Sequence, residues 1–381
     1  MKRFAVILAV VSTLFYIGCA GNNTPAGSPA SLSKSETGLG IKYARHFNID
    51  YLDDGVKLVT DSAGSRLLLV PEGVNAPPGY AGAVQIKTPI SRAMYSSTVY
   101  VGFLGALEND SLYDSVIAVC TPEEYWTTPQ ILERFKKGLI HYVLCGNTTV
   151  VNIEEVAGIK PSFVFTGGSN DASDRQFRSL LSELNIKHAV VMTGNEEGHA
   201  GALEWIKFFA AFFNLDKEAD RIFEAKLAQL DELYEKAANV SDRPTVAYGL
   251  IWRGLVYSQT GSSTAAQQIE KAGGIYVFKD IEGPTDSVII TMEEFLNKGR
   301  DADILIYGSL SQYTPNKAFL LGTEPLMAEF KAFKNNKVYI FDQGYYMNSD
   351  KVVEKFMDMV SIFHPEMFPG HKLTLYRKLP D

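Results

Sequence analysis

The sequence predicts an α/β protein built as two lobes with one long helix between them. Three observations carry that expectation. Short β-type runs alternate with helical periods through the first half of the chain, the pattern of βαβ units around a parallel sheet. The stretch from Asp216 to about Ala238 then holds one helical period without a Gly or Pro. After Ser241-Asp242-Arg243-Pro244 the strand–helix alternation resumes. A chain of 381 residues has room for two domains at roughly 100–200 residues each.

Each segment follows in order. Met1-Lys2-Arg3 is a basic start, and the apolar stretch Phe4 to Ile17 has the length of a signal-peptide h-region; at ~20 residues needed to span a bilayer, it is short for a transmembrane helix. Gly18-Cys19 resembles the bacterial lipoprotein box, in which the cysteine is acylated and becomes the mature N-terminus. An ordinary cleaved signal followed by an incidental Cys19 is the alternative. Residues 1–18 are therefore expected to be a signal peptide, and residues 19–40, rich in Gly, Ser, Pro and Asn, a lipid-anchored flexible tether. The rest of the chain is placed outside the cytoplasm, on a bacterial membrane facing the periplasm or the cell surface.

The first lobe is expected over residues 41–215. From Ile41 to Gln85 the alternating, Gly/Pro-punctuated pattern reads as a small antiparallel β unit. Five β-type runs follow (SRAMYSS, DSVIAVC, HYVLCG, SFVFTGGS, HAVVMTG), each leading into a helical period, the last being the aromatic ALEWIKFFAAFFN. Over residues 216–238 the apolar positions Ala219, Ile222, Phe223, Leu227, Leu230, Leu233, Tyr234 and Ala237 keep the 3.6 period of an amphipathic helix. At ~1.5 Å per residue it reaches roughly 34 Å, the length of a small domain. The second lobe, residues 239–381, alternates TVAYGLIW and GLVYSQTG with AAQQIEKAGG, SVII with TMEEFLNKG, then ADILIYGS, KVYIFDQ and a last helix from about Asp350 to Phe363.

Composition and motifs narrow the function. A formal net charge of −8 without a long basic run argues against nucleic-acid binding. The sequence contains no GxSxG, P-loop, HExxH or CxxC motif. The six histidines, His46, His141, His188, His199, His364 and His371, form no HxH or HxxxH pair, and each alone suits a structural or surface role. Cys120 and Cys145 each close an apolar run; they either pair in an oxidising compartment or remain two buried thiols.

Two segments echo each other. Asn152-Ile153-Glu154-Glu155 and Thr291-Met292-Glu293-Glu294 each place an N-cap residue three positions before a glutamate, the spacing of a capping box. Local physics accounts for all four carboxylates as caps and solvated charges near a positive helix end.

These segments also carry a resemblance. NIEEVAGIKPSFVF, GALEWIKFFAAFFNLDKEADRIF, GSSTAAQQIEKAGGIYVFKD, ITMEEFLNKGRDADILIYGS, KAFKNNKVYIFDQGYY and FHPEMFPG occur in the order in which similar elements occur in substrate-binding proteins of ABC importers for iron complexes and cobalamin. The resemblance extends from about Ile86 to Leu379. It implies two Rossmann-like lobes on a helical backbone, no catalysis, no intrinsic cofactor and a monomer that works with a permease and its ATPase. The transported ligand would be a ferric siderophore, haem or cobalamin. Glu154 and Glu293 match the glutamates that dock onto permease arginines.

Ligand contacts in that family come from loops at strand C-terminal ends. In this chain those loops carry Ser96, Ser97 and Thr98, then Tyr125 and Trp126, then Gly168, Ser169 and Glu197. The second lobe supplies Trp252, Arg253 and Tyr257, then Ser309, Tyr345 and Tyr346. Flat aromatic walls suit a conjugated or macrocyclic ligand, and Arg253 suits an anionic chelate. Tyr345 or Tyr346 has the chemistry to ligate haem iron. The competing readings are a chelatase acting on tetrapyrroles, a receptor for a bare metal ion or oxyanion, and an adhesin or scaffold.

Overall fold

The structure, a computed structural model, describes residues 39–145, 151–168, 172–196, 198–283, 287–349 and 351–381. These residues belong to one compact unit, Ser33–Asp381. The expected signal peptide, nearly all of the tether with Cys19, and the site candidates Ser169 and Glu197 lie outside the described residues.

The chain opens with β1 (Asn48–Tyr51), β2 (Lys57–Thr60), β3 (Arg66–Pro71) and β4 (Val84–Thr88), a sheet in that order. The first three strands are antiparallel, as expected, but β4 runs parallel to β3, pairing Leu67 with Val84 and Pro71 with Thr88. Residues 72–83 return the chain to the start of β3, and a connection of about a dozen residues is what a parallel crossover needs. Buried Asp61 ties this sheet to the first lobe by accepting from Val190 N at 2.8 Å.

The first lobe is a five-stranded parallel sheet of β5 (Ala93–Tyr95), β6 (Val116–Val119), β7 (His141–Tyr142), β8 (Phe163–Gly167) and β9 (His188–Val191). Its order is β7-β6-β5-β8-β9, so the winding reverses between β5 and β8. The helices are α1 (Thr98–Ala106), α2 (Pro129–Lys136), α3 (Ile153–Ile159), α4 (Ala172–Glu183) and α5 (Gly198–Ala211). Helix α5 is apolar around most of its circumference and accordingly lies inside. Its Phe208 and Phe209, with Phe212 just beyond, pack on Phe163 and Phe165 of β8, with ring centroids such as Phe165–Phe209 at 5.1 Å.

The long helix α6 spans Asp216–Ala238, as the periodicity requires. It buries Ala219, Ile222, Phe223, Leu230, Leu233 and Ala237 and is packed against α5 and α11 (Val352–Phe363). Leu227 and Tyr234 are only partly buried against the same core. Asp216 and Glu218 in its first turn and Lys236 in its last complement the helix dipole. Buried Lys57 donates to Asp216 Oδ2 at 2.8 Å and to Asn214 Oδ1 at 3.1 Å, fixing the start of α6 to β2.

The second lobe contains β10 (Thr245–Trp252), β11 (Leu255–Gln259), α7 (Thr264–Lys271), β12 (Ile275–Tyr276), β13 (Ser287–Ile290), α8 (Met292–Gly299), β14 (Ile304–Leu310), α9 (Lys317–Thr323), α10 (Lys331–Lys334), β15 (Val338–Phe341) and, after α11, β16 (Tyr376–Lys378). The sheet order is β13-β11-β10-β14-β15-β16, with β12 also paired to β10. Strands β12, β10, β14 and β15 are parallel, whereas β11, β13 and β16 add antiparallel edges. The whole is therefore a pair of α/β lobes on a helical spine.

Two carboxylates lock the chain's approach to this body. Glu204 on α5 is fully buried and accepts from the main-chain amides of Lys42, Tyr43 and Ala44 at 3.0, 2.7 and 2.9 Å. Glu196 accepts from Arg45 N, His46 N and Trp205 Nε1.

Candidate ligand cleft and docking surface

In an open α/β sheet, ligands bind beyond the strand C-termini where the winding reverses. In the first lobe that point lies between β5 and β8. Ser96 and Gly168 follow these two strands, and Ser96 N donates to Phe165 O at 3.0 Å. A cavity of about 250 Å³ opens here, lined among others by Ser96, Ser97, Thr166, Gly167, Ser173 and Asp174. Ser97 caps α1, its side chain accepting from Val99 N at 3.3 Å, and Thr98 begins that helix. Gly168 leaves room for Met192, which a Cβ would overlap. Cys120 and Cys145, left open by the sequence, form a disulfide with Cα atoms 5.3 Å apart. It ties the loops after β6 and β7 together beside the cavity.

The second lobe faces these loops with its own strand ends. Arg253 and Gly254 form a two-residue hairpin turn between β10 and β11, with φ of 53° and 75°. Positive φ at both central positions is the type I′ geometry that matches strand twist, and Gly254 adopts it without a Cβ clash. The Arg253 guanidinium lies 4.5 Å from the ring centroid of Trp252, a residue that is 50% exposed and whose ring is 6.2 Å from that of Tyr257. No ion pair neutralises Arg253 among the described residues. The hairpin thus offers an aromatic face carrying a cation.

Three other expected contacts are engaged by partners within the protein. Trp126 is only 4% exposed, belongs to the core, and donates Nε1 to Thr121 O at 3.0 Å. Ser309 is buried and accepts from Thr314 Oγ1 at 2.8 Å, bracing the turn after β14. Tyr345 stacks on Phe341 at 4.1 Å, and its hydroxyl lies 3.3 Å from that of Tyr376. Burial, with Tyr376 beside it, pushes its phenol well above the usual range, so with no metal bound it stays neutral. Tyr346, 42% exposed, remains at the surface.

Tyr125 is half-buried and meets Tyr313 of the second lobe, ring centroids 5.9 Å apart. Tyr313 is 52% exposed and was missed in the sequence, although it stands three residues past the end of β14, where the strand-end rule points. Thr166, Ser173 and Asp174 were missed as well. Thr166 reads as part of a strand and the other two as a helix start, and only the fold turns them toward one cavity.

On each lobe a glutamate stands free. Asn152 Oδ1 accepts from Glu155 N at 3.3 Å and Thr291 Oγ1 from Glu294 N at 3.1 Å, so the N-caps form as the spacing requires. The Glu294 carboxylate lies 3.5 Å from Lys298 on its own helix. Glu154 and Glu293 are exposed and have no hydrogen bond or ion pair among the described residues.

Two α/β lobes on a helical spine, with the loop residues Tyr125 and Tyr313 meeting between them, give the architecture of two-lobed binding proteins. The chain belongs to the family described as "Periplasmic binding protein", whose model matches residues 114–345. An uncharacterized lipoprotein of Methanocaldococcus jannaschii is 27% identical over 99% of this chain and 97% of its own. A second from that organism is 29% identical over 89% and 86%. Among solved structures, the periplasmic haem-binding protein HutB of Vibrio cholerae has a TM-score of 0.55 at 14% identity, covering 74% of this chain and all of its own. Staphylococcus aureus IsdE, solved with haem, gives 0.53 at 19% identity over 72% and 98%. CeuE of Helicobacter pylori gives 0.58 at 17% identity over 75% and 86%. At these identities the structural likeness concerns the fold. Among the described residues no helix is long and apolar enough to cross a membrane, and no group of three or more His, Cys, Asp or Glu could hold a metal ion.

Proposed function

We propose that the protein is the lipid-anchored, extracytoplasmic substrate-binding component of an ABC importer. It captures an iron chelate, a siderophore or haem, or a corrinoid between its lobes and delivers it to the permease without chemistry of its own. The observation that carries this reading is a hydroxyl-bearing cavity at the first lobe's switch point, together with an un-neutralised Arg253 stacked on exposed Trp252 at a strand end of the second lobe. The first can accept and donate hydrogen bonds to a chelate periphery. The second suits an anionic, conjugated ligand. Family membership supports the transport role, and the relatives named as lipoproteins support anchoring at Cys19. The Cys120–Cys145 disulfide supports an oxidising compartment outside the cytoplasm.

The test is a tryptophan-fluorescence titration with haem, cobalamin and several ferric siderophores. Trp252 at the surface should report quenching on binding. Saturable binding to one class without turnover is the expected result. Flat titrations across the panel, with a protein shown to be folded, would overturn the reading.

A further inference from the structure

A helical glycine lies at the contact between the lobes. Gly102 sits inside α1 with ordinary helical backbone geometry, where Gly is less favourable than Ala. Its backbone does not require glycine; its neighbourhood does. A Cβ at this position would lie 2.6 Å from Met347 O and 2.8 Å from Ser349 Oγ, both in the second lobe. The loop Gly344–Ser349 rests on α1 at this point. Ser349 Oγ donates to Val99 O at 2.9 Å, and Thr127 N and Oγ1 both lie 3.4 Å from Met347 Sδ. The Tyr125–Tyr313 ring contact crosses between the lobes as well.

Neither side of this seam can yield easily. The loop is tied to itself by Gly344 N to Asp342 Oδ1 at 3.0 Å, Asn348 Nδ2 to Gly344 O at 2.7 Å and Met347 N to Gly344 O at 3.0 Å. The Tyr345 stack pins it to β15. On the other side, α1 is held by Tyr100 OH donating to Val191 O at 3.1 Å and by Phe103 stacked on Phe209 at 5.0 Å. Close-packed interiors transmit such strain instead of absorbing it.

We propose that Gly102 is a positioning residue: by having no side chain, it lets the 344–349 loop seat on α1, and the seam so closed sets the spacing of the lobes and the width of the cleft. The cleft part of this inference rests on the binding function proposed above; the seam does not. Adding a Cβ requires Met347 O to retreat by about 1 Å to reach ordinary contact distance. The lobes then separate about the spine, by more at their far ends than at the seam.

The experiment measures the interlobe distance by electron–electron double resonance in the full chain carrying Cys19→Ser. Spin labels go on Lys136→Cys and Asn335→Cys, exposed positions on opposite lobes. Gly102→Ala, Gly102→Val and Gly102→Leu should lengthen the mean distance in that order. Gly158→Ala, in α3 with open space around it, should leave the distance unchanged. Ser349→Ala adds no bulk and removes only the hydrogen bond to Val99, so it should broaden the distribution even if the bulkier variants do not fold. An unchanged distance in folded Gly102→Leu, or an unchanged distribution in Ser349→Ala, overturns the seam. With haem and a ferric siderophore as probes, the Gly102 series should change the ratio of the two affinities, and a constant ratio overturns the control of cleft width. If the wild-type chain binds nothing in the panel of haem, cobalamin and ferric siderophores, the binding function falls while the distances still decide the seam.

Discussion

His199 is the residue whose protonation the fold opposes most plainly. It lies on α5, buried, with Nδ1 2.5 Å from the Tyr234 hydroxyl of α6 and its ring against Phe356 of α11 at 5.3 Å. Burial first, then the cations of Lys271 and Lys355, lower its pKa from 6.5 to about 3. The unfolded chain therefore binds a proton in this pH range that the folded chain refuses. Stability from this group is complete above pH 6.5 and is lost as pH falls toward 3, at up to about 1.4 kcal/mol per pH unit. His199→Gln should flatten that acid slope. Urea midpoints at pH 7 and pH 4.5 check it: the wild type should lose more stability than the variant, and equal losses would remove His199 from the acid response.

Among the elements, the segment 40–46 depends on two carboxylates. Glu204 gathers three main-chain amides and lies 3.3 Å from Lys207 Nζ, which also pairs with Asp220 of α6 at 2.8 Å and sits 4.4 Å from the Phe223 ring. Removing one partner of a buried charged group leaves the other uncompensated, typically at a cost of about 3–5 kcal/mol. Glu204→Ala should be destabilised on that scale in urea unfolding and become sensitive to proteolysis near residues 40–46. Glu204→Gln keeps an acceptor and should lose less. If both variants match the wild type in both measurements, the carboxylate does not hold the segment.

For the whole molecule, the unpaired Glu154 and Glu293 stand on separate lobes, so in the proposed function any docking through both would depend on how the lobes are spaced. Two linked weak contacts gain strength only when geometry allows both to engage. In the proposed function, Glu154→Ala or Glu293→Ala alone should reduce uptake, and the double substitution should abolish it while ligand affinity stays unchanged. Uptake assays with parallel fluorescence titrations check this. Undiminished uptake by the double variant would show that these glutamates do not dock. The seam at Gly102 bears on the same geometry, since it helps to set the spacing of the two lobes.

What the sequence determined by itself is what depends on near neighbours in the chain. The spine over Asp216–Ala238, the alternation of strands with helices and the caps at Asn152 and Thr291 all follow from residues three or four positions apart, or from alternate residues along a strand. The tertiary structure alone decided what depends on distant partners. It turned β4 parallel, joined Cys120 to Cys145 and gave Trp126, Ser309 and Tyr345 their hydrogen-bond partners. It brought Tyr313 to Tyr125, and it set Ser349 on Val99 across 250 positions of chain. A strand-end rule can name a loop, but whether a side chain in that loop faces the ligand or the core is settled by packing, and those packing partners are far away in the sequence.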